Sequence, residues 1–370
     1  MSAPQSRAEV PYGAFDRLLH RVAFAYPGTQ LALSDIEDRL YRARIDPNAT
    51  RRPVFITSLP RAGTTILLEV LSTLPEFSSA TYRQMPFTML PLLWGSITAG
   101  LRRESRLTER AHGDGLMVSF DSAEAFEEVV WMAFWRSHYA ADHIQTWAAD
   151  EVDPEFVEFF RAYICKVVAA GGGRRYLSKN NADIARLGLL ARHFPDARIV
   201  IPIRDPWRQA ASLLRQHLRF LDLHAREPFT RRYMEDIGHF EFGEAHRPIA
   251  FNGAWRDPSG ATEPEYWLRY WADAYEYVLT EAGRQAIFVD HDAMSADPEP
   301  HLAALAAALD VASPGALVAT APRFHTQPPV ERPDVPPALA ARIAETHAAL
   351  LARCLGPARP TGTGRKEAAA

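Results

Sequence analysis

Pro53-Val-Phe-Ile-Thr-Ser-Leu-Pro-Arg-Ala-Gly-Thr-Thr-Ile-Leu-Leu68 runs from an apolar strand through a tight Pro/Gly loop into a helix. It reads as a phosphate cradle that lacks the lysine of the usual nucleoside triphosphate loop. There a Gly-Lys-Ser/Thr triplet opens the helix, with the lysine on the outer phosphates and the hydroxyl on magnesium. Here the triplet is Gly63-Thr64-Thr65, and the cation is Arg61, inside the loop. Gly63 permits a curl that points successive N–H groups, up to Thr65, at one oxyanion, while the helix dipole and two hydroxyls add to the field. The expected ligand is an anion that needs donors and one guanidinium but no metal-bridged triphosphate.

A second segment has the same build. Arg198-Ile-Val-Ile-Pro-Ile-Arg-Asp-Pro-Trp-Arg-Gln-Ala-Ala-Ser-Leu-Leu214 is an apolar strand ending in Arg204. Asp205 follows as an N-cap, Pro206 takes the first helical position, and the helix carries Ser212. An arginine offers phosphate a planar, permanently charged fork, and a hydroxyl on the following helix adds a neutral donor. Between the two segments, Arg174-Arg-Tyr-Leu-Ser-Lys-Asn-Asn-Ala-Asp183 is a short strand that ends in Lys179 and leads to another helix and a Phe-Pro-Asp-Ala turn.

Pro60-Arg-Ala-Gly-Thr-Thr65 after its Val-Phe-Ile-Thr strand resembles the phosphosulfate-binding loop of sulfotransferases that use 3'-phosphoadenosine 5'-phosphosulfate (PAPS). The family's commonest form has Ser at Ala62, and its hormone-sulfating branch has Lys at Arg61. The resemblance implies that Arg61, Ala62, Gly63, Thr64 and Thr65 bind the phosphosulfate. It implies that Arg204 and Ser212, eight residues apart, hold the 3'-phosphate, and that Lys179 stabilises charge on the oxygen bridging sulfur and phosphorus. Many relatives read Lys-Thr/Ser-Pro where this chain has Lys179-Asn180-Asn181. Ile287-Phe-Val-Asp-His-Asp-Ala-Met-Ser-Ala-Asp-Pro298 resembles the family's late strand, with His291 and Asp292 as scaffold. The resemblance spans residues 53 to about 310.

Composition fits a soluble enzyme. The 370 residues are 47% apolar with a net charge of −4, so the chain lacks the basic surface of a nucleic-acid binder, and no nucleic acid is expected as acceptor. Cys165 and Cys354 form neither a disulfide framework nor a metal-ligand spacing, and no metal is expected. The start, Met1-Ser-Ala-Pro-Gln-Ser-Arg, has no apolar core long enough for a signal peptide or anchor, so a cytoplasmic location without membrane attachment is expected, as in the soluble bacterial-type branch.

Residues 14–45 read as helical, as do 121–138, 154–170, 182–193, 206–220, 264–281 and 299–309. Strands fit 53–57, 175–179, 198–203 and 286–290. The alternation predicts an α/β fold with a central parallel sheet covered on both faces; the resemblance makes it a P-loop three-layer sandwich with large helical insertions. The expected domain plan is a helical extension over 1–50, one sulfotransferase domain over 51–355 with insertions at about 83–170 and 221–263, and a disordered tail over 356–370. Residues 221–263 are also a candidate lid.

Transfer to a hydroxyl needs a group to take its proton. His112 and Asp114, which bracket Gly113 in a loop, are the candidates, with Glu127 and Glu128 in competition. Phe87, Trp94, Trp131, Trp135 and Trp207 are candidate lining residues of an apolar acceptor pocket, and Arg323 and His325 are candidates to approach the nucleotide from the C-terminal side. The predicted activity is in-line transfer of a sulfuryl group from PAPS to a hydroxyl or amine of a small-molecule or glycan acceptor. The alternatives are a P-loop small-molecule kinase using magnesium-ATP and a non-catalytic nucleotide-binding protein of the same fold. Oligomeric state is not readable from the chain.

Overall fold

The structure, a computed structural model, describes residues 14–25, 27–98, 108–109, 117–118, 126–253 and 257–357. Helices α1 (Ala14–Ala25) and α2 (Pro27–Leu40) precede strand β1 (Val54–Ile56). Then come α3 (Thr64–Leu71), β2 (Phe77–Ser78), α4 (Pro91–Thr98), β3 (Thr108–Glu109), β4 (Met117–Val118), α5 (Glu128–Phe134) and β5 (Ile144–Gln145). The middle of the chain forms α6 (Pro154–Gly171), β6 (Arg175–Lys179), α7 (Leu187–His193), β7 (Arg198–Ile203), α8 (Pro206–Arg226) and α9 (Pro228–Asp236). The remainder forms β8 (Ile249–Ala250), α10 (Pro264–Glu281), β9 (Ala286–Asp290), α11 (His291–Ala296), α12 (Pro298–Leu309), α13 (Pro314–Val318) and α14 (Pro337–Leu351).

Five strands form a parallel sheet in the order β2-β6-β1-β7-β9. Side chains alternate across a strand, so each strand feeds two cores. Val54 and Ile56 of β1, Leu177 of β6, Val200 of β7 and Ile287 and Val289 of β9 face a core shared with α3 and α12. Phe55, Tyr176, Ile199, Ile201 and Phe288 face the opposite core, shared with α6, α7, α8, α10 and α14. The result is three layers, helices on both faces of a sheet, as the continuous apolar strands require.

Capping sets where the helices begin. Asp153 and Asp205 accept from the N–H of Phe156 and Arg208, each with a proline at the next position, and Asp290 accepts from Ala293 N–H. The helical stretch predicted at 14–45 divides before Pro27, whose ring removes a helical donor. The stretch predicted at 182–193 opens as a tighter turn over Asn181–Arg186. No helix of the described residues is long and apolar enough to cross a membrane.

β1 lies between β6 and β7; the connection leaving β1 runs to β2 on the β6 side, and the one leaving β6 crosses to β7 on the other. Ile56 is in register with both Lys179 and Val200. The three segments singled out in the sequence therefore emerge side by side at the carboxyl ends of adjacent strands, where open α/β sheets form their ligand crevice.

Candidate functional site

The loop after β1 is held from outside, which leaves its inner face for a ligand. Thr57 N–H donates to Val200 O at 3.0 Å, and Ser58 Oγ donates to Pro202 O at 2.9 Å and lies 2.7 Å from the Tyr275 hydroxyl. Gln209, fully buried on α8, donates from Nε2 to the carbonyls of Leu59 and Pro60 at 3.1 and 3.0 Å. Its Oε1 accepts from Trp271 Nε1 and the Tyr275 hydroxyl. Arg61 takes a left-handed φ of +69° and Gly63 a φ of +100°. A Cβ at Gly63 would stand 2.5 Å from the His291 ring, so both the backbone conformation and the close approach demand glycine. α3 starts at Thr64 without a side-chain cap. The first N–H groups of that helix are the donors expected of an anion cradle.

Arg61, Arg204 and Ser212 come together. Arg61 Nε donates to Ser212 Oγ at 3.1 Å, and Arg204 Nη1 donates to the Arg61 carbonyl at 2.8 Å. Arg204 Nε is buried with no hydrogen-bond partner among the described residues. Burial pushes the Arg204 pKa down; Asp292 opposes this, and the neighbouring guanidiniums of Arg61, Arg208 and Arg215 reinforce it. Arg61, Arg204, Arg208 and Arg215 thus gather at this site, with Asp292 the carboxylate that most offsets them at Arg204. Asp292 accepts from Asp205 N–H at 2.6 Å and from Arg208 Nη1 at 3.2 Å. His291 packs under Gly63 with Nδ1 buried and unpartnered among the described residues; burial, then the charge on Arg204, push its pKa down to about 4. The two residues read as scaffold thus support the anion site directly.

Lys179 is buried at the end of β6 and lines a cleft with Leu59 and Pro60 of the loop, Asn180 and Asn181. The two asparagines that replace the relatives' Thr/Ser-Pro each have a task. Asn180 accepts from Ala182 N–H and donates to Glu128 Oε2 at 2.7 Å. Asn181 Oδ1 accepts from Thr64 Oγ1 at 3.3 Å, while its Nδ2 donates to Glu241 Oε1 at 3.1 Å. Glu127 and Glu128 are core residues. Glu127 accepts from the Tyr176 hydroxyl at 2.8 Å, and Glu128 pairs with the buried Arg186 at 2.5 Å. Neither faces the cleft. His112 and Asp114 lie outside the described residues.

The cleft's far wall is the segment 238–249, part of the candidate lid, which packs tightly instead of standing free. His217 Nδ1 accepts from Gly243 N–H and His224 Nδ1 from Glu244 N–H, both at 3.2 Å. His246 spends Nδ1 on the Phe240 carbonyl and Nε2 on the Tyr266 hydroxyl. Burial, then His224, push the His217 pKa down to about 4; burial, then His217, push His246 to about 3. The aromatic lining is Phe240, Trp267 and Tyr270. None of the five expected lining aromatics takes part. Trp131 and Trp135 are buried in the core, with the Arg186 guanidinium 3.8 Å from the Trp131 ring centre, and Phe87 packs on Trp94. Trp207 lies under Arg332. Arg323 donates to Glu69 on α3 at 2.5 Å, and His325 is exposed. Helical periodicity alone does not separate a core tryptophan from a lining one, and no local signal marks Gln209, Asn181 or Glu241.

The structure is thus an α/β protein in which adjacent strand ends of a parallel sheet carry an arginine-framed loop at a helix start and a buried lysine, a donor set whose chemistry suits a phosphate-type anion. The family model described as "Sulfotransferase family" matches residues 53–314, and the chain belongs to that family, whose members are transferases of sulfate groups. Among solved structures it is similar to sulfotransferase STF9 from Mycobacterium avium, at 15% identity and TM-score 0.45, over 80% of this chain and 76% of that one. It is also similar to sulfotransferase STF1 from Mycobacterium tuberculosis H37Rv, at 15% and 0.47, over 85% and 82%. A sulfotransferase from Alicyclobacillus acidocaldarius is similar at 17% and 0.35, over 82% and 94%. No curated protein matches the chain.

Proposed function

We propose that this chain is a PAPS-dependent sulfotransferase acting on a hydroxyl or amine of a small-molecule or glycan acceptor, in the cytoplasm and without a metal. The carrying observation is the cluster Arg61–Arg204–Ser212 beside the uncapped start of α3, with a buried guanidinium nitrogen, Arg204 Nε, that awaits an acceptor. In this reading the N–H groups of Gly63, Thr64 and Thr65 and the Arg61 guanidinium hold the 5'-phosphosulfate. Arg204 and Ser212 hold the 3'-phosphate. When bound, PAPS supplies an activated sulfuryl group on a phosphate leaving group. Lys179, buried on the cleft side of the loop, stabilises the charge that grows on that phosphate oxygen, and the cleft excludes water from it. Residues 51–355 form the catalytic domain, with 1–50 as its helical extension.

Gly63-Thr64-Thr65 in place of Gly-Lys-Ser/Thr disfavours the magnesium-ATP kinase reading. Calorimetric titration with 3'-phosphoadenosine 5'-phosphate, against AMP and ATP with and without magnesium, tests the donor assignment. Binding that requires the 3'-phosphate and ignores magnesium is the expected result; a preference for magnesium-ATP overturns it.

A further inference from the structure

We propose that Glu241 is the catalytic base that takes the proton of the acceptor, and that the acceptor presents a hydroxyl on an apolar body. This assignment rests on the donor reading above and deepens it on the acceptor side.

Glu241 lines the same cleft as Pro60 and Lys179, on the opposite wall, and is half-buried. Its Oε1 accepts from Asn181 Nδ2 at 3.1 Å, and among the described residues Oε2 accepts no side-chain hydrogen bond. The other end of the same amide accepts from Thr64 Oγ1, at the start of α3. Asn181 therefore ties the carboxylate to the donor loop and fixes its orientation, as a base that must meet an in-line nucleophile requires.

The other titratable groups of the cleft are Lys179, His239, His246, Arg247 and Tyr270. His246 has both ring nitrogens engaged, and Tyr270 uses its oxygen to accept from Ile249 N–H. Lys179 and Arg247 are cations, and Arg247 lies over the Phe240 ring. Only His239 competes, and among the described residues no hydrogen bond ties it to the donor loop as Asn181 ties Glu241. The remaining lining is apolar, with Leu59, Ile144, Leu213 and Ile249, which suits the body of a phenol or apolar alcohol. The acceptor oxygen forms a bond to sulfur, the bond from sulfur to the 5'-phosphate oxygen breaks with its electron pair going to that phosphate, and the acceptor proton passes to Glu241 Oε2.

The test uses labelled PAPS with two phenol probes at about pH 8: 4-nitrophenol, already largely ionised, and 4-methylphenol, which like tyrosine ionises near pH 10. Glu241→Gln keeps the shape and the Asn181 bond but takes no proton. It is expected to lose about 100-fold in rate with 4-methylphenol and only about threefold with 4-nitrophenol, with binding of 3'-phosphoadenosine 5'-phosphate unchanged within about twofold. His239→Asn is expected to affect both phenols alike. Equal losses for both phenols in Glu241→Gln would overturn the assignment, as would a selective loss in His239→Asn. A wild-type protein that binds 3'-phosphoadenosine 5'-phosphate but transfers to neither phenol would also overturn it. Failure of the donor reading shows separately, as absence of that binding in the wild type.

Discussion

Arg204 donates from Nη1 to the main-chain carbonyl of Arg61 at 2.8 Å. A side chain just past the end of β7 thereby holds the backbone of the loop that follows β1, at the residue whose φ is +69°. The two segments proposed to hold the nucleotide are thereby joined by a hydrogen bond.

Arg204→Ala is therefore expected to weaken 3'-phosphoadenosine 5'-phosphate by about 1.5–3 kcal/mol, the scale of a hydrogen bond to a charged group. Adenosine 5'-phosphosulfate should lose less, about 0.5–1.5 kcal/mol, because only the loop's support is removed. Calorimetry on both ligands checks this, and equal losses would sink the assignment of Arg204 to the 3'-phosphate.

Lys179→Ala should lower turnover more than nucleotide affinity. Charge on the leaving oxygen develops only as the bond breaks, so the lysine's contribution grows in the transition state. Single-turnover rates with labelled PAPS, set beside binding of 3'-phosphoadenosine 5'-phosphate, separate the two quantities. A loss confined to binding would count against the role.

Gly63→Ala forces an L residue into φ +100° and drives its Cβ to within 2.5 Å of His291. Backbone strain alone costs about 1–3 kcal/mol. Adding His291→Ala is expected to recover the steric part and leave the strain, which urea unfolding of Gly63→Ala, His291→Ala and the double variant measures. Full recovery in the double variant would show that the backbone carries no strain there.

His217 and His246 are held neutral, with pKa values pushed down to about 4 and about 3 from the usual 6.5. A depressed folded-state value means that the unfolded chain binds protons first. Their stabilisation is thus fully present above pH 6.5 and is lost as pH falls toward 4. For His217 alone the loss reaches about 3 kcal/mol at the end of that window. His217→Asn keeps an acceptor for the Gly243 N–H without titrating, so unfolding curves between pH 7 and 4.5 should fall less steeply for the variant. Parallel curves would contradict a neutral, protected imidazole at His217.

Much of the scaffold is legible because its strands are buried on both faces. The runs 175–179, 198–203 and 286–290 coincide with β6, β7 and β9; the last two are apolar runs flanked by helical periodicity, which have little else to be, while Arg175–Lys179 is a mixed strand between helices. Lys179 and Arg204 are visible as polar residues closing such runs. The acceptor side is hidden for a physical reason: Asn181 meets Glu241 across 60 residues and Gln209 reaches the loop across 150, and neither contact leaves a periodic trace. Within 221–263, residues 221–236 finish α8 and form α9, while the wall at 238–249 shows little periodicity because side chains such as His217 and His224 grip its successive backbone N–H groups. Tryptophans show the converse failure, since helical spacing marks Trp131 as facing inward without saying whether inward means core or cleft.

The mounting of the two sides has an evolutionary consequence. Donor groups sit on adjacent strand ends of a rigid sheet, while the opposite wall hangs from α8 and α10 through His217, His224 and the Tyr266 hydroxyl. Exchange of the wall residues of 238–249 other than Glu241 would leave the proposed donor groups, and the Asn181 bridge to them, in place. On the proposed reading, a lineage built this way could change its acceptors while keeping one sulfate donor.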